Sequence, residues 1–198
     1  MSKQLIQFTS GCPNNCEYCY EPKEIKQFTP DIKNLDKDVQ ILDMNFLANP
    51  NHIKILKSLP KRNYELICGF DFRLLTSEVV ELFKKKGFIK LRWAWDYSLG
   101  SQRKHQKIWR MLTKAGFRSE DLSIFILVNW KIPYSYCCDK LDLIKVWGVK
   151  VNDCCYDGGY KIAKPIYWTP EQIKQFRKKC RDHNQMIRFK LLMSYEGK

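Results

Sequence analysis

No apolar run in this chain approaches the roughly 18 residues needed to span a bilayer. The N-terminus, MSKQLIQFTSGCPNN, also lacks the apolar stretch and small-residue cleavage site of a secretory signal. Both absences point to a cytoplasmic protein with no membrane partner. Low-complexity tracts and an obvious linker are missing too, so a single domain over residues 1–198 is expected. Acidic charge is scarce: 21 Asp and Glu stand against 35 Lys and Arg, a net charge of +14. Disorder is excluded, because aromatic residues make up 14% of the chain and supply core-forming bulk that disordered chains do not have.

The charge deficit is uneven. Residues 1–50 carry −2, and the three following stretches carry +5, +6 and +5. The basic runs Lys84-Lys85-Lys86, Arg103-Lys104 with Lys107 and Arg110, and Arg177-Lys178-Lys179 with Arg181 read first as solvated helix faces. Such faces can also meet phosphates, so an anionic small molecule or RNA is an expected partner class. No nucleic-acid-binding motif accompanies the charge.

What the chain does have is cysteine, nine of them. In a reducing compartment these are metal ligands, reactive groups or small buried residues rather than disulfides. Cys12, Cys16 and Cys19 form one cluster, Cys137-Cys138 and Cys154-Cys155 are adjacent pairs, and Cys68 and Cys180 stand alone.

Short β-branched and aromatic runs alternate with charged segments of helical period. Strands are expected at Gln4–Thr9, Val39–Phe46, Tyr64–Phe70, Phe88–Trp95, Leu122–Asn129 and Gly148–Asn152. Helices are expected at Asn51–Leu59, Thr76–Lys86, Gln102–Ala115, Tyr134–Trp147 and Thr169–Asn184. The last carries Thr169 as N-cap, Pro170 at the first helical position and Gln172 placed for a capping box. The connection over residues 20–38, with Pro22 and Pro30, has room only for a short helix. Alternating strands and helices imply parallel βαβ units of roughly 30 residues each. The chain has length for about six, which predicts an α/β fold: an open sheet or a shortened, partial (β/α)6 TIM-like barrel. In either, function sits at the C-terminal ends of the strands.

The first of those ends runs straight into Ser-Gly-Cys-Pro-Asn-Asn-Cys-Glu-Tyr-Cys, residues 10–19. Thiolates suit zinc or iron–sulfur clusters. A closed site takes four protein ligands, so three local ones leave a metal position open. A zinc site completed by a distant Cys or His, and a ferredoxin-like carrier, are the plain alternatives.

A C-x3-C-x2-C loop after the first strand of a βα chain resembles the radical S-adenosylmethionine superfamily. The resemblance implies that Cys12, Cys16 and Cys19 hold a [4Fe–4S] cluster whose fourth iron binds S-adenosylmethionine. It implies reductive cleavage to a 5′-deoxyadenosyl radical that abstracts hydrogen from a substrate, and an electron donor such as flavodoxin or ferredoxin. Tyr18 would contact adenine. The family's Gly-Gly-Glu at the end of the second strand is absent, and Asp43 or Asn45 would accept from the cofactor's amino group instead. Arg92 would take the methionine carboxylate, Asp96 the ribose, and Val128 and Asn129 the adenine. Asp71 and Arg73 point toward the same mouth, with an ordinary exposed ion pair as the alternative. Neither the substrate nor a catalytic residue is legible.

A second metal site would draw one cysteine from each of Cys137/Cys138 and Cys154/Cys155, with Cys180 or His183. Buried free thiols are the simpler expectation. Cys155, just before Gly158-Gly159, is a further candidate for a thiol on the substrate side. The alternative function is a non-enzymatic iron–sulfur or zinc protein that binds nucleic acid through its basic faces.

Overall fold

The computed structural model describes residues 3–96, 101–156 and 168–196, with no account of the side chains at 192 and 194–196. The chain divides into two compact units, Met1–Ala94 with Gln106–Phe117, and Trp95–His105 with Arg118–Lys198. Both are mixed α/β.

In the first unit, β1 (Gln4–Ile6), β4 (Asp38–Ile41) and β5 (Asn63–Leu66) form a parallel sheet in the order β1-β4-β5. Ile6, Ile41 and Leu66 lie in register across it. The inward residues Ile6, Val39, Ile41, Tyr64 and Leu66 are buried, as period-two alternation dictates. Against them pack Leu56 of α1 (His52–Ser58) and Val79, Val80 and Phe83 of α2 (Ser77–Lys86). Each such side chain contributes about 1.5–3 kcal/mol on burial. The helix α2 starts where the side chain of Thr76 accepts from the Val79 N–H at 3.2 Å, and it ends at Gly87. Residues 20–38 hold no helix. Their regular element is β3 (Lys26–Gln27), antiparallel to β2 (Thr9–Ser10).

The strand expected over Phe88–Trp95 shortens to β6 (Arg92–Ala94). Lys90 lies just before it with φ +49°, a left-handed conformation that no strand continues through. Phe88 and Trp93 still make isolated parallel bridges to Tyr64 and Phe70.

In the second unit, β7 (Ser123–Val128) and β8 (Lys150–Cys155) pair in parallel, joined through α4 (Tyr134–Trp147). All but one residue of β7 are buried, the near-continuous pattern of a parallel strand. Between the two pieces of this unit, α3 (Gln102–Lys114) gives its first four residues here and the rest to the first unit. The Trp95 N–H donates to Phe125 O at 2.8 Å, and the Trp95 ring stacks on His105 and Trp147. Lys140 is fully buried and donates to Trp95 O at 3.0 Å and Asp96 O at 3.3 Å.

The capping box closes as the sequence predicts: Gln172 N–H donates to Thr169 Oγ1, and Thr169 N–H to Gln172 Oε1. The helix behind it, α5 (Pro170–Glu196), runs twelve residues beyond the expected stop at Asn184. Asn184 does not cap it. Its side-chain amide accepts from Val151 N–H at 3.0 Å and donates to Val151 O at 2.7 Å, which anchors α5 on β8. Among the described residues no helix is long and apolar enough to cross a membrane.

Candidate functional site

The cysteine loop leaves the first unit's sheet at the end of β1 and is closed at its neck by β2 and β3. Phe28 N–H donates to Phe8 O at 2.8 Å just below that neck. The neck is anchored by Asp43, which follows β4 and is completely buried. Its Oδ1 accepts from Phe8 N–H at 2.8 Å, and its Oδ2 accepts a very short bond from the Thr9 hydroxyl. Burial raises the Asp43 carboxyl above its ordinary value, against the pull of these donors. Asp43 is thus spent on tying two strand ends together.

Inside the loop the chain turns tightly. Gly11 takes φ +82°, which lets its N–H reach Glu21 Oε1 and the Cys12 N–H reach Pro22 O, both at 2.8 Å. Cys19 N–H donates to Cys16 O at 3.0 Å. Two N–H groups point at sulfur: Glu21 N–H lies 3.5 Å from Cys19 Sγ, and Asn45 Nδ2 lies 3.5 Å from Cys12 Sγ. None of the three is in a disulfide, and all three are half-buried.

The loop also meets the end of β5. Asn14 Nδ2 donates to Asp71 Oδ2 at 3.0 Å, and Arg73 grips the same carboxylate through Nε at 2.8 Å and Nη2 at 2.5 Å. Burial alone would raise the Asp71 carboxyl. The hydrogen bonds from Arg73 and Asn14 more than offset it and hold the group below its usual range. The Arg73 guanidinium is held charged first by Asp71, and also by the fields of Cys16 and Cys12. So the pair expected from sequence to face this mouth does reach the loop.

Asn45 has a second peculiarity. It is buried, and its Oδ1 has no hydrogen-bond partner, one of two such buried side-chain atoms among the described residues; the other is Tyr156 Oη. A buried acceptor left bare costs about 1–3 kcal/mol, so it marks a place for an external donor.

Arg92 is engaged within the fold. Its Nη2 makes a very short bond to Glu65 Oε1, and Lys3 reaches Glu65 Oε2 at 2.9 Å. Burial works to raise the Glu65 carboxyl, but Lys3, Gln40, Arg92 and Lys90 together hold it low. Tyr18 is half-buried in the loop. Asp96, Val128 and Asn129 belong to the second unit. Val128 is buried. Asn129 has φ +60°, donates from Nδ2 to Tyr156 O at 2.9 Å and accepts from Trp168 N–H at 3.4 Å, so its side chain fastens the chain ahead of α5.

The remaining cysteines do not gather. Cys137 is buried, with its thiol pushed up to about 12 by burial, and donates to Leu127 O. His183 spends Nε2 on Val149 O at 2.7 Å. Gly158 and Gly159, beside which Cys155 was expected to act, lie outside the described residues. Among the described residues no three His, Cys, Asp or Glu side chains form a metal-ligating group, and that includes the 12/16/19 trio as it stands.

No protein-family model matches the chain, and no curated protein matches it.

The loop's chemistry nonetheless suits an iron–sulfur cluster. It offers three soft donors, N–H groups directed at two of the sulfurs, and a guanidinium coupled to two of them. Thr9, Asn14 and Glu21, which shape the loop, were not singled out in the sequence. Their partners lie 10 to 57 residues away, and no local motif announces them.

Proposed function

We propose that this chain is a radical S-adenosylmethionine enzyme on a shortened, partial (β/α)6 barrel, with Cys12, Cys16 and Cys19 as ligands of a [4Fe–4S] cluster. The supporting observation is the bare, buried Asn45 Oδ1 beside a Cys12 sulfur, on a three-thiol loop that leaves the first parallel strand. When bound, the cluster and S-adenosylmethionine supply a reductive cleavage whose 5′-deoxyadenosyl radical takes hydrogen from a substrate.

The chain's own residues prepare that site. Asn45 accepts from the cofactor's amino group, a role that the sequence left open between it and Asp43. Asp43 instead holds the β1 end from which the loop springs. Arg92 is retained by Glu65, and Arg73 is the cation coupled to the thiols. Arg73, held by Asp71 through Nε and Nη2, offsets the negative charge that three thiolates bring. Tyr18 covers the adenine. The substrate is anionic, the electron donor is a flavodoxin or ferredoxin, and the setting is cytoplasmic.

Anaerobic reconstitution tests this directly. The expected result is about four irons with matching sulfide per chain and release of 5′-deoxyadenosine on addition of dithionite and S-adenosylmethionine. Cys12→Ala, Cys16→Ala and Cys19→Ala should each abolish that release. Asn45→Ala should weaken S-adenosylmethionine binding, read by equilibrium dialysis, while iron content stays. Release that survives any of the cysteine changes overturns the proposal. One zinc and no iron also overturns it, in favour of a non-enzymatic metal protein that binds nucleic acid.

A further inference from the structure

At the edge of the first unit's sheet opposite the cysteine loop, the chemistry is different. The loop, Asp43 and Asp71 all follow strand C-termini. Before the N-termini of β4 and β5 lies an open groove of about 490 Å³, lined by Leu35, Lys37, Lys61, Arg62, Asn63 and Gly87. Four residues of β4 and β5, about 13 Å of strand, separate the two edges.

The groove is built rather than incidental. Arg62 N–H donates to Lys86 O at 3.0 Å, Asn63 N–H to Lys37 O at 2.9 Å, and Tyr64 N–H to Gly87 O at 3.2 Å. These bonds stitch the ends of β4, β5 and α2 into one floor. The Arg62 guanidinium is fixed by bonds from Nε to Leu35 O at 3.0 Å and from Nη1 to Lys61 O at 2.8 Å. Its Nη2 has no acceptor among the described residues.

Three of the six lining residues are cationic and none is acidic. Lys37, Lys61 and Arg62 form no ion pair among the described residues. The carboxylate alongside, Asp38, is occupied by Asn63 Nδ2 at 2.8 Å. The Lys84–Lys86 run behaves otherwise: Lys84 donates to Gly116 O, and Lys86 donates to Lys57 O and Leu59 O. Its charge is partly consumed as helix-end caps, whereas the ammonium groups of Lys37 and Lys61 make no hydrogen bond among the described residues.

A fixed guanidinium flanked by the ammonium groups of two exposed lysines matches phosphate oxygens. An open groove with no acidic lining residue also suits a chain of phosphates better than one enclosed ion. We propose that this groove binds successive phosphate groups of a polyanion, supplied either by a single-stranded nucleic acid backbone or by a free polyphosphate. The proposal is independent of the cysteine loop and survives or fails without it.

The test uses the full chain as purified, with a labelled oligo-uridine followed by fluorescence anisotropy over a salt series. Lys37→Gln/Lys61→Gln is compared with Lys174→Gln/Lys178→Gln, which removes the same charge from exposed positions on α5. Thermal melts confirm that both variants fold. The groove pair should weaken binding about tenfold and lower the slope of log K against log salt by about 1.4, at about 0.7 per phosphate contact. The α5 pair should change neither. Inorganic tripolyphosphate added as competitor identifies the source. Displacement of the label shows that free polyphosphate suffices, and no displacement shows that the nucleic acid backbone is required; both keep the groove. Equal losses in the two variants, or no binding of either probe by the unaltered chain, overturn the proposal.

Discussion

Replacing Gly11 by alanine is expected to loosen the cysteine loop from its clamp. A Cβ at position 11 would sit 1.9 Å from Glu24 O, 2.9 Å from Glu24 C and 3.0 Å from Pro22 O. Carbon and carbonyl oxygen approach to about 3.3 Å, so backbone must part by about 1.4 Å. That displacement breaks the bonds from Gly11 N–H to Glu21 and from Cys12 N–H to Pro22. Each is worth about 1 kcal/mol net. The left-handed φ of +82° costs alanine about 1–2 kcal/mol more. At about 3–4 kcal/mol in total, the opened loop gains a few hundredfold in population. Native-state alkylation, with peptide mapping of Cys12, Cys16 and Cys19, reads that population directly. Gly148→Ala is the control. Position 148 has φ +66°, but its nearest atom is Ser119 Cβ at 3.8 Å, so it carries the left-handed penalty without the clash. It should lower the melting temperature and leave the three thiols as slow to react as before. Unchanged alkylation and an unchanged melt in Gly11→Ala would refute the clamp.

Two further outcomes follow from buried charge. Arg92→Met removes a half-buried partner of Glu65 and should cost about 1–3 kcal/mol in urea unfolding, with S-adenosylmethionine binding retained; lost binding at unchanged stability would return Arg92 to the cofactor. His105 is buried, and its pKa is driven down to about 3, first by burial and then by Lys140 and Lys104. Between its ordinary 6.5 and that value the unfolded chain takes a proton that the folded chain refuses. Stability should therefore fall as pH drops below 6.5, by about 1.4 kcal/mol per unit, or about 2 kcal/mol by pH 5. His105→Phe should flatten that slope, and a slope equal to the parent's would show that His105 does not set it.

Most of the helices could be read in the sequence because their signals are local. Thr76 and Gly87 bracket α2, and Thr169, Pro170 and Gln172 start α5 through bonds that span three residues. Tyr134–Trp147 is helical over the expected range. Strand lengths were less legible. The run from Val39 extends only to Ile41, because Asp43 turns aside to bind Phe8 and Thr9, a contact across more than thirty residues. The same distance hid the division of labour at the site. Asp43 and Asn45 look interchangeable as neighbouring polar residues, yet one is fully engaged and the other keeps a bare acceptor. Arg92 reads as a free cation until Glu65, on the adjoining strand segment, is seen to hold it. The C-terminal end of α5 was hidden by residue type: asparagine is a common stop signal, and at position 184 its amide has a partner outside the helix.

That partner gives Asn184 a protective role. Among the described residues β8 pairs with no strand on its second side, and an unpaired strand edge is a template for another molecule's backbone. By answering both the N–H and the C=O of Val151, the Asn184 amide imitates the peptide group of a neighbouring strand. One side chain on a helix thereby occupies the place where a second chain would begin to pair, and it guards the sheet against self-association.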